Sequence, residues 1–472
     1  MRLNILHTND IHSNYENFAK LVTKINELKD SDTIILDAGD FADFKRLELQ
    51  GTRGLAAMEL LEYAGYDALT IGNNETFQGI DILQYMATNT KLPLLSSNIR
   101  SMTSTTIEGL KNSILLNKNG LRILIIGASP DLGPFNELIG FTLIDDIEAI
   151  THEIEVNKGN YDVCILLSHL GMDKDKEMAE KVEGIDVIIG GHSHILMEKP
   201  EIINNKIIFT SGVFGENLGV LKLDVDKDKV ELLGGKNVAI QQENGCNEII
   251  DIIKRNKEKA IDHLSEPLYT LEKDLWHDVT EENPITNLLA DALRDVLNCD
   301  LGIINSGVIN GGIRKGNVTL KKLIELCPSP LNPTSFKIQG KYLWEALQNS
   351  TDTDYCYADG KGPGFRGKYV GRLHVSNAVI EHNGRKISDI YINGEKLIAE
   401  KWYTVASSDY LQRGTGYASL MNCKDEKYNK EYIRDTLREY LGKKDFVDKA
   451  LIDRWILKKY RKTTLHHQNL QQ

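Results

Sequence analysis

Short apolar runs alternate with amphipathic helical repeats from residue 1 to about 225, and this alternation confines the first half of the chain to a layered α/β domain. LNILHTND and TIILDAGD each read as a buried strand ending in a polar turn. Between them Phe18, Leu21, Val22, Ile25 and Leu28 recur at the spacing of a helix with one apolar face. The rhythm continues through GLAAMELLEYAG as a helix and through DALTIGNN, LRILIIGAS, YDVCILLSHLG, IDVIIGGHSH and KIIFTSG as strands.

At 472 residues, 41% of them hydrophobic, the chain is long enough for two or three domains with real cores. Beyond the α/β domain of 1–225 the character changes. Charge-rich DVDKDKVELLGGKN gives way to NEIIDIIKRNKEKAIDHL, which predicts a linker over 226–265 with one exposed helix bridging two domains. A second globular unit is predicted over 266–456. It opens with the helix ITNLLADALRDVL, closes with a helix through EYIRDTLREYL, and carries Gly- and Pro-rich loops at CPSPLNPTS and ADGKGPGFRGKYVG. The tail, 457–472, has no apolar periodicity, and His466 and His467 are read as solvated.

A net charge of −12, from 56 basic and 68 acidic side chains, argues against a nonspecific grip on nucleic acid. An anionic substrate then needs its positive charge from metals or a local arginine cluster. No apolar stretch approaches a membrane span, and the first strand begins almost at Met1. A cytoplasmic protein without membrane contact is therefore expected, of unassigned oligomeric state. The six cysteines lie far apart with no CxxC pair, the pattern of structural thiols.

Every polar cluster of the first domain falls where a strand ends. Asp10 and His12 follow LNILHTN, Asp40 follows TIILDAG, Asn73 follows ALTIG, His169 follows VCILLS, and His192 and His194 follow VIIGG. Singly, each has an ordinary explanation as a cap, a turn former or a surface histidine. Together they point to one site, because loops at the carboxyl edge of an α/β sheet converge. The chemistry fits two divalent ions if one carboxylate bridges, and Asp40 is the natural bridge, an anion between two cations. Asp10 and His12, two residues apart in an extended segment, project to the same side and serve one metal. Mixed imidazole, carboxylate and amide ligands suit Mn²⁺, Zn²⁺, Fe²⁺ or Co²⁺ better than Ca²⁺. Such a pair activates water and clamps a phosphoryl group for in-line attack.

The ordered motifs D-x-H (Asp10, His12), G-D (Gly39, Asp40), G-N-N-E (Gly72 to Glu75), S-H-x-G (Ser168, His169, Gly171) and G-G-H-S-H (Gly190 to His194) resemble those of the calcineurin-like metallophosphoesterases. The opening ILHTNDIH is similar to the 5′-nucleotidase and 2′,3′-cyclic-nucleotide phosphodiesterase branch, and NLLADAL, NSGVINGGIRKGNVT and YTVASSDYLQRGTGY look like its C-terminal domain. The resemblance implies a four-layer α/β/β/α metal domain and an α+β substrate-binding domain. It implies metal one on Asp10, His12, Asp40 and His194, and metal two on Asp40, Asn73, His169 and His192. The implied reaction is hydrolysis of a phosphomonoester or phosphodiester of a nucleotide-like small molecule by metal-bound hydroxide. A non-nucleotide phosphoester or a pyrophosphate is the alternative substrate, and a metal-binding pseudoenzyme that senses a ligand is the alternative of another class.

The chain departs from that pattern in ways that bear on chemistry. Asn74 stands where relatives carry a histidine that assists phosphate binding and leaving-group departure, and an amide gives up no proton near neutral pH. In the C-terminal N-x-G-G-x-R, Asn305 and Gly307 align and Asn310 replaces the substrate-binding arginine. Pro328 and Ser329 replace the proline–phenylalanine that stacks on a nucleobase, which leaves Tyr417 as the expected stacking wall. Asn74 is thus the expected catalytic position, and Asn305, Gly307, Asn310 and Tyr417 the expected substrate contacts.

Overall fold

The computed structural model describes residues 1–103, 106–226, 229–362 and 364–458, and the chain divides into two units, Met1–Leu264 and a second from Ser265. In the first unit one six-stranded sheet runs in the order Lys229–Ala239, Asn217–Asp226, Arg2–Thr8, Thr33–Asp37, Ala68–Thr70, Leu94–Leu95. The other runs Glu201–Ile203, Lys206–Phe209, Val187–Gly190, Val163–Ser168, Leu121–Ala128, Ser113–Lys118. From Arg2–Thr8 to Leu94–Leu95, and from Lys206–Phe209 to Leu121–Ala128, neighbouring strands are parallel.

Alternation along each strand builds the layers. Leu3, Ile5, Ile34 and Leu36 meet Ile123, Ile165, Val187 and Ile189 between the two sheets. Leu6 and Ile35 turn the other way onto Phe18, Leu21 and Leu60, while Leu124, Leu166 and Ile188 turn onto Ile150 and Met178. Helices Tyr15–Leu28 and Leu55–Ala64 therefore cover one sheet, and Asp146–Val156 and Met172–Lys181 the other. The result is the expected α/β/β/α stack, in which each fully buried Leu or Ile contributes roughly 1.5–3 kcal/mol.

Of residues 226–265, expected as a linker with an exposed bridging helix, those up to Leu264 belong instead to the first unit. Lys229–Ala239 forms a hairpin with Asn217–Asp226 and is an edge strand of the first sheet. Its charges misled the sequence reading because they occupy one face only: Lys229 and Glu231 are exposed while Val230 and Leu232 pack on the core between the sheets. The helix Asn247–Leu264 buries Ile249, Ile252, Ala260 and Leu264 against Tyr15–Leu28, Leu47–Thr52 and Leu55–Ala64. It approaches so closely that a Cβ on Gly51 would lie 2.5 Å from Ala260.

The second unit is α+β. A five-stranded sheet (Leu373–Ser376, Leu301–Asn305, Trp402–Ser408, Pro333–Gln339, Cys423–Tyr428) and a four-stranded one (Glu395–Lys396, Ile387–Ile392, Ala378–His382, Trp455–Leu457) share one core with the helix Pro284–Leu297. That helix starts where the sequence places it: the Asn283 side chain accepts the Thr286 N–H, and Pro284 occupies the first turn, where no N–H is needed. The closing helix is Ile433–Leu441. The tail expected from 457 starts inside a strand, since Trp455–Leu457 pairs with Ala378–His382, and from 459 it lies outside the described residues. No helix among the described residues is long and apolar enough to cross a membrane.

Candidate metal centre

Each expected ligand of the first unit follows the carboxyl end of a parallel strand. Asp10 and His12 come after Arg2–Thr8, Asp40 after Thr33–Asp37, Asn73 after Ala68–Thr70, His169 after Val163–Ser168, and His192 and His194 after Val187–Gly190. The backbone is bent to serve them. Asp10, His12, Asp40, His192 and His194 all have left-handed φ, between 47° and 70°, a conformation that costs a non-glycine residue on the order of 1–3 kcal/mol.

The side chains converge into two overlapping groups, Asp10–His12–His194 and Asp10–Asp40–His169, with ligand atoms inside each group within 4.8 Å of one another. Asp10 Oδ1 lies 3.3 Å from His194 Nε2, 3.7 Å from His12 Nε2 and 3.8 Å from His169 Nε2. Asp40 Oδ1 lies 3.3 Å from His169 Nε2, and its Oδ2 3.8 Å from His12 Nε2. His192 Nδ1 is 3.0 Å from Asn73 Oδ1. The His169 side chain is fully buried, its Nδ1 against the Ala38 carbonyl at 2.6 Å, and its Nε2 faces both carboxylates without the alignment of a hydrogen bond. An imidazole nitrogen so held, beside two carboxylates and two further imidazoles, fits a divalent cation.

The electrostatics agree. Burial lowers the His169 pKa, but Asp40 and Asp10 outweigh it and push the imidazole up to about 10. Burial would raise Asp40; His169 and His12 hold it well below the usual carboxylate range instead. His12 is lowered because burial exceeds the pull of Asp40 and Asp10, and His192 is lowered by burial and by His169. His194 is raised, chiefly by its contact with Asp10.

Asn74 sits in the single helical turn Asn73–Thr76, its backbone N–H 2.8 Å from Asp40 Oδ1 and its Nδ2 2.5 Å from Asp40 Oδ2. Two supporting residues escaped the sequence reading. Glu75, buried, accepts the backbone N–H groups of Gly72, Asp40 and Ala42 and so ties the Asp40 loop to the Asn73 loop. Burial and the Asp40 charge push its carboxyl up to about 7. Asn9 donates to Asp10 Oδ2 at 2.8 Å and to the Gly212 carbonyl, and accepts from Ser211. Both adjoin motif residues, in GNNE and in TND, and that adjacency was the available signal.

In the second unit three of the four expected substrate contacts lie inside the fold. Tyr417 is fully buried: its hydroxyl donates to the Gly371 carbonyl at 2.8 Å and its ring packs on Tyr355, as in a core residue. Asn305 is buried and donates to the Val370 carbonyl. Gly307 is buried where a Cβ would lie 1.9 Å from the Tyr369 carbonyl oxygen, so glycine is required there by packing. Asn310 alone of the four is exposed, as is Arg314. Arg372 is engaged in the fold, its guanidinium over Trp455 and donating to the Thr280 carbonyl.

Residues 3–196 match the family described as Calcineurin-like phosphoesterase, and residues 261–421 the 5′-nucleotidase, C-terminal domain. The chain is similar to the Uncharacterized metallophosphoesterase YunD of Bacillus subtilis, at 28% identity over 92% of this chain and 98% of that protein. It is also similar to the Trifunctional nucleotide phosphoesterase protein YfkN of the same organism, at 26% identity over 88% of this chain, and spans only 32% of that longer protein. The solved structure of Haemophilus influenzae NAD nucleotidase shares the fold, with a TM-score of 0.64 at 18% identity, covering 94% of this chain and 96% of that one. With its strand-end donor set and both halves matched, the chain belongs to the calcineurin-like metallophosphoesterases that carry a 5′-nucleotidase C-terminal domain, and is a metal-dependent phosphoric ester hydrolase.

Proposed function

We propose that this enzyme hydrolyses a phosphomonoester or phosphodiester of a nucleotide-like small molecule at a dinuclear centre, with Asp10, His12, Asp40 and His194 holding one divalent ion and Asp40, Asn73, His169 and His192 the other. The observation that carries the reading is the pair of overlapping donor groups that share Asp10 and adjoin through Asp40. Asp40 is suited to a shared role because its two oxygens face different imidazoles, His169 and His12. Divalent ions bound there, of the Mn²⁺, Zn²⁺, Fe²⁺ or Co²⁺ class, lower the pKa of water and offset charge on a phosphoryl group. The chain's own residues set the limits. Asn74 has no proton to give near neutral pH, so the leaving group departs on its own basicity, and aryl esters and diesters are favoured over alkyl monoesters. The six free thiols support a cytoplasmic location.

A non-nucleotide phosphoester is the second reading, favoured by the burial of Tyr417, the one wall expected of a base-stacking slot once Ser329 replaces the other ring. Turnover by the Mn²⁺-loaded chain of AMP, 2′,3′-cyclic AMP, bis(p-nitrophenyl) phosphate and glycerol phosphodiesters separates the two. Turnover of none of them sinks both, and metal analysis showing at most one equivalent under saturating Mn²⁺ or Zn²⁺ sinks the dinuclear centre.

A further inference from the structure

We propose that Phe214 is a specificity-determining wall of this site, presented to receive a flat aromatic group attached to the substrate's phosphoryl; the inference rests on the phosphoesterase reading above. The donor cluster has a depth. The side chains of Asp10, Asp40 and His169 are 0–2% exposed and form its floor, whereas His12 is 13% and His194 44% exposed. Phe214 stands on the open side, 43% exposed, with its ring centroid 5.8 Å from His12 and 6.5 Å from His194.

Its conformation has no return within the fold. Phe214 has φ 59°, and a bulky aromatic with positive φ is an outlier, costly even for smaller side chains. A core residue recovers such a cost through full burial, and this residue stays 43% exposed. Relaxation is blocked on both sides. The Phe214 N–H donates to the Asp10 carbonyl at 2.8 Å, its carbonyl accepts from Asn17 Nδ2 at 2.9 Å, and the next residue, Gly215, is packed where a Cβ would lie 2.9 Å from Ile11 and Leu21. The chain thus holds an exposed phenyl ring beside two imidazoles of one donor group. A group esterified to a phosphoryl at those donors and directed to the His12–His194 side meets that ring. Aromatic groups pair with it by offset or edge contact, and small alkyl groups gain little.

The test uses the Mn²⁺-loaded full chain and two non-hydrolysable probes, phenylphosphonate and methylphosphonate, with binding followed by calorimetry. Phe214→Ala should weaken phenylphosphonate about 3- to 10-fold and leave methylphosphonate unchanged. With p-nitrophenyl phosphate as substrate the same factor should appear in KM, with kcat and bound Mn²⁺ unaltered. Phe214→Gly provides the second variant, because glycine alone takes φ 59° freely. It should keep or raise Tm while losing phenyl selectivity, whereas a merely structural phenylalanine would lose Tm and no selectivity. Equal weakening of both phosphonates, no weakening, or a fall in bound Mn²⁺ overturns the assignment. A wild-type chain that turns over no phosphoester fails the hydrolase reading instead, and the phosphonate comparison still decides Phe214; binding of neither phosphonate to the wild type overturns both.

Discussion

The two units treat their motif residues in opposite ways. In the first, Asp10, His12, Asp40, His169 and His194 converge in two overlapping groups, with His192 beside His169 and Asn73 beside His192, several of them on strained backbones. In the second, Asn305, Gly307 and Tyr417 are absorbed into the core, and only Asn310 reaches solvent. The difference lies in strand direction. Parallel strands release their successive loops at the same edge, so polar residues at strand ends meet. The five-stranded sheet of the second unit is parallel only between Leu301–Asn305 and Trp402–Ser408, and its other neighbours are antiparallel. Its loops leave from both edges, and a motif position there serves packing as readily as binding.

That contrast can be broken or sharpened by substitution. The largest effect is expected from Asp40→Asn, which removes the carboxylate whose two oxygens face His169 and His12. Partners of metal ligands typically cost 10–100-fold in affinity when changed, so this ligand should cost more than about 10²-fold, with a matching fall in kcat/KM. Metal titration by atomic emission checks it; undiminished uptake would leave the first unit's cluster as mere hydrogen-bonded polarity. Glu75→Gln should follow at about 10- to 100-fold in metal affinity, because its amide NH₂ would meet the backbone N–H groups of Gly72, Asp40 or Ala42. An unchanged affinity would mean that the Asp40 loop holds its shape unaided.

Asn74→His should raise the rate on alkyl monoesters more than on aryl esters, but by less than the 10²- to 10⁴-fold of a well-positioned acid. The carboxylate hydrogen-bonded to Asn74 is that of Asp40, already committed to the donor groups, so the new imidazole has poor orientation. Equal changes on both esters, with metal content intact, would make Asn74 a turn residue and nothing more. The smallest effect belongs to the second unit. Tyr417→Phe should lower stability by about 1 kcal/mol, through the hydrogen bond to Gly371, and leave the KM for AMP where it was. A severalfold rise in that KM would restore Tyr417 as a substrate contact and erase the contrast between the units.

The first unit was legible because its signals are local. An apolar run followed by a polar turn identifies a strand end without knowledge of its neighbours, and the order Asp10, His12, Asp40, Asn73, His169, His192, His194 carries the donor set. The edge strand Lys229–Ala239 was not legible, since a half-exposed hairpin strand with charges on one face has the composition of a linker. The stripe Ile249, Ile252, Ala260, Leu264 announced a helix but not the surface beneath it. Glu75 and Asn9 act on backbone groups far away in sequence, and Phe214 owes its importance to a left-handed φ that no residue preference predicts.

What the sequence determined by itself is therefore the kind of chemistry: periodicity set the layers of the first unit, and residue type at each strand end set the candidate donors. The tertiary structure decided which residues are available. Whether Tyr417 stacks on a ligand or fills a core, and whether Phe214 is buried or offered to the site, depends on the packing of segments distant along the chain. Burial is a property of the assembled fold, and local sequence carries only the tendency towards it.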